Sequence, residues 1–187
     1  MEGFMRVCAA LLLLFCGTVL APDARAQSPW SISLYGGPTT DTITTQIATG
    51  HLHIIGGMVG LAANHRLAKL GGGFSLAAEA QVTQYFTHDP YQTVSLGVGA
   101  SYDRFPWDTP TTLAVYIGPS YAFDPPPILG QLHPLLNYVS AEFAVQIPQA
   151  PQWDATLRLF HRSGAWGLYA RSFDQGTMLG AGLRYRF

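Results

Sequence analysis

Thr177-Met-Leu-Gly-Ala-Gly-Leu-Arg-Tyr-Arg-Phe187 closes the chain, and its reading decides the rest. Leu179, Ala181, Leu183, Tyr185 and Phe187 are apolar, while Gly180, Gly182, Arg184 and Arg186 between them are tiny or charged. A period of two needs a strand with one face in a greasy medium and the other against polar matter. The last strand of a soluble sandwich would alternate in the same way. A terminal aromatic fits a transmembrane barrel better, because aromatics gather at the membrane interface.

The N-terminal segment predicts export. Arg6 supplies a positive n-region, and Val7 to Ala21 is an apolar stretch too short to span a bilayer as a helix. Ala24-Arg25-Ala26 is an A-x-A cleavage signal, so residues 1–26 are expected to be a cleaved signal peptide and 27–187 an outer-membrane barrel domain. Cys8 and Cys16 both fall in the discarded segment, and Phe15-Cys16-Gly17 lacks the small residue that precedes a lipidated cysteine. The mature chain therefore has no disulfide, thiol chemistry or thiolate metal site. It keeps eight basic and nine acidic residues, a balance that gives no hint of nucleic acid. Its longest apolar run, Ile54 to Ala63, is broken by three glycines. An apolar, charge-poor chain without a spanning helix makes sense as a closed barrel, which satisfies every backbone group in lipid.

Eight strands are predicted, at about 30–36, 52–64, 73–86, 92–104, 111–122, 137–147, 153–163 and 177–187, with turn-rich breaks such as Gly37-Pro38, Gly71-Gly72 and Pro125-Pro-Pro127 between them. In the third, Phe74, Leu76, Ala78, Ala80 and Val82 oppose Ser75, Glu79, Gln81 and Thr83; the fourth and sixth alternate as clearly, whereas glycines blur the second. The fold class is all-β, an eight-stranded antiparallel up-and-down transmembrane barrel with both ends on one side. Trp30, Trp107, Trp153 and Phe187 are expected at the periplasmic rim, and Tyr35, Phe86, Tyr121, Tyr138 and Trp166 near the outer one. Connections 37–51, 123–136 and 164–176 are the long outer ones. Side chains can fill so narrow a barrel. The inward set includes Glu79, Glu142, Arg158, Arg184 and Arg186, which can neutralise one another across the lumen, so function is expected on the loops or the lipid face.

The seventh strand holds the one chemical signal of weight. Trp153, Ala155, Leu157 and Leu159 face outward and Asp154, Thr156, Arg158 and Phe160 inward, so parity carries His161 and Ser163 outward at the external end and Arg162 inward. Spacing of two sets their Cα atoms about 7 Å apart on one side of the strand. A histidine that takes a serine's hydroxyl proton makes it a nucleophile toward an ester carbonyl.

Leu159-Phe-His-Arg-Ser-Gly164, followed by Leu183-Arg-Tyr-Arg-Phe187, resembles the outer-membrane lipid A 3-O-deacylases and their acyloxyacyl-hydrolase-like relatives. Weaker similarity runs through Gly72-Gly-Gly-Phe-Ser-Leu-Ala-Ala-Glu79, Phe105-Pro-Trp107 and Leu136-Asn-Tyr138. The resemblance implies a barrel whose serine and histidine face the outer leaflet and hydrolyse an acyl ester of lipid A, with Ser163 as nucleophile, His161 as base and no cofactor. That family's triad has a glutamate about fourteen residues after the histidine; this chain has Gln175 there, with Asp174 beside it. Gln175 has the parity and Asp174 the charge. The family's oxyanion asparagine after the serine is Gly164 here, whose backbone N–H is the candidate donor.

Other signals are weaker. His51 and His53 have metal-ligand spacing but no third ligand nearby; His65, His88 and His133 read as loop or turn residues; and Gly97-Val-Gly99 reads as strand packing. The competing reading is a non-catalytic structural or adhesive barrel acting through loops such as 123–136. The oligomeric state has no signature in the sequence.

Overall fold

The computed structural model describes residues 28–41, 53–125, 133–169 and 174–187, with only the backbone described at 174–176. Eight antiparallel strands form a closed barrel: β1 (Trp30–Thr40), β2 (Ile54–Gly71), β3 (Phe74–Phe86), β4 (Tyr91–Tyr102), β5 (Thr111–Phe123), β6 (Leu135–Ile147), β7 (Ala150–Ser163) and β8 (Asp174–Arg186). Each strand pairs with its sequence neighbour, and β1 closes the ring against β8 through pairs such as Leu34 with Leu183. The Ser28 N–H donates to the Phe187 carbonyl at 2.8 Å, tying both flanks of the ring at one rim, here the terminal rim. Closure leaves no strand edge, the condition for spanning lipid with strands. No described helix is long and apolar enough to cross a membrane.

The two faces follow the alternation. Leu34, Leu96, Val98, Ile117, Leu157 and Leu183 stand outward and exposed, making an apolar exterior. The interior is polar and packed. Arg158, fully buried, uses all five of its donors: Nε on Glu142 (3.2 Å), Nη1 on Glu79 (3.0 Å) and Gln81 (3.1 Å), and Nη2 on Glu79 (2.6 Å) and Glu142 (2.7 Å). Arg184 bridges Glu142 at 3.1 Å and Asp154 at 2.8 Å, and Arg186 reaches Asp154 at 3.1 Å. The predicted neutralisation across the lumen is present, with Asp154 as an added member. Glu142 pairs directly with Arg158 and Asp154 with Arg184 in the strand register. A one-residue slip would turn these charges into lipid, so they pin the register.

Two predicted rim aromatics are corrected. Tyr35 and Tyr138 lie inside: Tyr35 donates to Gln81 at 2.7 Å, and Tyr138 to Glu79 at 3.2 Å. Each ring lies over a glycine of another strand, Tyr35 over Gly60 on adjacent β2 and Tyr138 over Gly97 on β4, two strands away, since a Cβ on either glycine would collide with the ring. Among the glycines that blurred β2, Gly60 is thus a seat for a ring while Gly56 lets the backbone approach the Phe86 carbonyl, and Gly97 is strand packing as predicted. Trp30, Trp107, Phe86 and Tyr121 are exposed as anticipated.

The predicted break at Gly37-Pro38 is a second correction, because β1 runs through it to Thr40. The sheet tolerates it by giving up part of one ladder: pairing of β1 with β8 skips from Gly36 to Thr39. Gly118-Pro119 repeats the device, and pairing of β4 with β5 skips from Ser95–Ser120 to Val98–Ile117. Proline has no N–H to give the ladder. The preceding glycine lets the backbone come close to the facing carbonyl, Leu179 or Leu96, where a Cβ would not fit.

β2 also runs past its predicted end at 64 to Gly71. His65 is therefore a strand residue, not a loop one, and its ring packs 4.3 Å from that of Trp30. The length rule holds in part. The 103–110 connection at the terminal rim is longer than the 87–90 turn at the far rim. Residues 1–26, His51 and residues 126–132 of the proline-rich stretch lie outside the described residues.

Candidate active site on the outward face of the seventh strand

β7 alternates as predicted, with Asp154, Thr156, Arg158, Phe160 and Arg162 buried and Leu157 exposed between them. His161 and Ser163 are half-buried on the outward face, Ser163 being the last residue of the strand at the far rim. What fixes that orientation is the inside. Arg162 is fully buried, donating from Nε to Ser120 Oγ at 2.9 Å and from Nη2 to the Ser120 and Pro134 carbonyls at 3.3 Å each. Arg158 and Arg162 hold the strand from within, and parity then leaves its odd residues facing out.

His161 sits opposite Thr177 on β8 and Val139 on β6. Its Nδ1 is 3.4 Å from the Thr177 hydroxyl, whose own backbone carbonyl accepts from Thr40 Oγ1 at 2.8 Å. An Nδ1–H directed at Thr177 would leave Nε2 with its lone pair, the form a general base needs. Thr177 was missed in the sequence because the expected orienter was a carboxylate or amide further upstream. Its signal was position: it starts the alternating run of the last strand.

The β7–β8 register shifts by one residue between His161 and Ser163, so that Ser163 pairs with Asp174. Two residues of β8, Gln175 and Gly176, stand against Arg162 alone, which is a bulge. Without the shift, Gln175 would face Ser163. The bulge brings the Asp174 backbone beside the serine instead, although simple alternation gave Asp174 the wrong parity. Ser163 and His161 share a face and a rim, yet no hydrogen bond joins the hydroxyl to the imidazole among the described residues.

Past Ser163 the chain turns sharply. Gly164 is buried and its carbonyl accepts from the N–H groups of Gly167 (3.2 Å) and Tyr169 (3.0 Å) around a 3₁₀ turn at Ala165–Gly167. Ala165 and Trp166 both take left-handed φ values, 48° and 53°, which costs on the order of 1–2 kcal/mol per residue for L-amino acids. The turn leaves the Trp166 and Leu168 side chains fully in the surroundings, just beyond the serine.

The other histidines do not add a site. His53 Nδ1 lies 2.9 Å from an Asp41 carboxylate oxygen and His88 Nδ1 3.2 Å from Asp89, both exposed. No cluster of three metal-binding side chains occurs among the described residues. A polar vestibule of about 290 Å³ opens at the terminal rim, lined in part by Asn64, Tyr116, Asp154, Arg184 and Arg186, and thus lies at the opposite end from Ser163.

No family model matches the chain, and neither does any curated protein. Solved structures do. The outer-membrane enzyme PagL superposes with a TM-score of 0.57 at 14% identity, covering 84% of this chain and 98% of that one. The architecture is that of outer-membrane barrels. The N-terminal β-barrel domain of Pseudomonas aeruginosa OprF aligns with a TM-score of 0.50 at 11% identity, over 87% of this chain and all of that domain. At these identities the likeness is one of fold.

Proposed function

We propose that this chain is a bacterial outer-membrane esterase that removes an acyl chain from lipid A, with Ser163 as nucleophile and His161 as general base. The observation that carries the proposal is the placement of both side chains outward at the far rim of an apolar barrel. Histidine and serine have no structural duty on a lipid-facing surface. The apolar band of such a barrel is about 25 Å tall and is crossed by some ten tilted residues. β7 begins at Ala150, so positions 161 to 163 reach the far boundary, where lipid A esters lie between acyl chains and sugar. Trp166 and Leu168 suit the same boundary, where aromatic side chains anchor. The resemblance to lipid A 3-O-deacylases names the substrate, and its orientation makes the far rim the outer one. Export follows from cleavage after Ala26, and no cofactor is needed.

In this mechanism Ser163 Oγ attacks the ester carbonyl carbon while its proton passes to His161. The ester C–O bond then breaks, the sugar oxygen takes the proton back, and water releases the fatty acid from Ser163 by the same route. Asp174 and Gln175 remain candidates for supporting His161, beside Thr177.

A second reading has one observation in its favour. The missing hydrogen bond between Ser163 and His161 suits a structural or adhesive barrel in which the pair is inert. Mass spectrometry of lipid A from cells expressing wild type or Ser163→Ala separates the two. Loss of one hydroxyacyl mass with the wild type alone is the expected result. Identical spectra across several lipid A types, with both barrels folded in the membrane, would reject the esterase.

A further inference from the structure

Asn137 is an amide in an unusual place. It lies on the odd-numbered, outward positions of β6, in line with Leu135 and Phe143, which are exposed to the apolar exterior. Yet Asn137 is only 6% exposed. Its neighbour on β5 is Pro119, whose ring offers no donor or acceptor. Its neighbour on β7 is Ser163. Directly opposed residues have Cβ atoms about 4.5–5.5 Å apart on one face. The amide nitrogen, two bonds beyond Cβ, therefore reaches the space around a carbon bonded to Ser163 Oγ.

We infer that Asn137 is an oxyanion donor of this site, a step that rests on the esterase reading above. As the Ser163 Oγ–carbon bond forms, the carbonyl π pair moves onto oxygen, and the Asn137 Nδ2–H group donates to that oxygen. The donor's task ends when the pair returns and the sugar–oxygen bond breaks; it recurs when water attacks the acyl-enzyme. An amide set opposite the nucleophile by the strand register is in place before the charge develops, which is what electrostatic stabilisation of a transition state requires. The sequence pointed to the residue after the serine, Gly164, for this role. The strand register supplies a side chain from the other flank, so the two donors are compatible.

The test uses the full barrel in detergent and a long-chain alkyl fluorophosphonate. In that probe, Ser163 Oγ bonds to phosphorus, fluoride leaves, the proton passes to His161, and the phosphoryl oxygen takes the oxyanion position. Asn137→Leu keeps the volume and suits a lipid-facing site, so heat-dependent gel migration should show a folded barrel; Asn137→Ala is the second variant. Labelling should slow by about 10²–10³-fold, and kcat for deacylation should fall as much with KM unchanged. Wild-type labelling at Ser163 with equally fast labelling of a folded Asn137 variant would overturn the oxyanion role and leave the esterase standing. Neither labelling nor turnover by the wild type would overturn both.

Discussion

One strand carries two kinds of surface. The inward residues of β7, Arg158 and Arg162, are sealed, and every Arg158 donor is committed to a named acceptor. The outward pair, His161 and Ser163, is half-buried; the histidine contact described is the long one to Thr177, and the serine has no partner among the described residues. The difference teaches how a small barrel frees a face for chemistry. Register and closure are fixed from inside by charge, so outward residues near a rim need not hold the fold together. A soluble enzyme builds its site in a cleft of the core, whereas this chain has its core in the lumen and its candidate site on the skin.

The comparison breaks most severely at the inside. Arg158→Ala would leave Glu79 and Glu142 buried without their shared guanidinium, and loss of one partner from a buried pair costs about 3–5 kcal/mol. Urea titration in lipid vesicles, followed by tryptophan fluorescence, should register that loss; a change under 1 kcal/mol would mean that the interior does not set the register. Next comes the lipid face of the same strand. Leu157→Arg puts a charge into the apolar exterior and should cost about 2–4 kcal/mol near the midplane, measured in the same way. Equal stability would place Leu157 outside the hydrocarbon.

The smallest effect sharpens the outer half of the contrast. Thr177→Val keeps the shape beside His161 and removes the hydroxyl. One neutral hydrogen bond is worth about 1 kcal/mol, so kcat for deacylation should drop about fivefold, with the barrel equally stable. An unchanged kcat would shift the orienting role to Asp174 or Gln175, where Gln175→Glu should raise activity.

Much of this was legible in the chain. Alternation fixed which residues of β3, β4, β6 and β7 face the lumen, and parity alone carried His161 and Ser163 outward. The illegible parts share a physical cause: each is decided by another strand. Tyr35 and Tyr138 read as rim aromatics because nothing in their own strands shows that Gly60, on the adjacent strand, and Gly97, two strands off, leave room for the rings. Gly37-Pro38 reads as a turn, since the cost of a missing N–H depends on which neighbour needed it. The bulge opposite Arg162 overturned the simple parity of Asp174 for the same reason. Asn137 was quoted only as part of a resemblance; its link to Ser163 is a matter of register.

The two Gly-Pro interruptions have a mechanical consequence. One lies on the seam between β8 and β1, the other on the seam between β4 and β5, so together they divide the ring into two half-shells of four strands each. Asn137, His161, Ser163 and Thr177 all belong to the β5–β8 half, joined across the β6–β7 and β7–β8 ladders. The inter-strand ladders are thinned at those two seams, and the four residues stand together on one side of both.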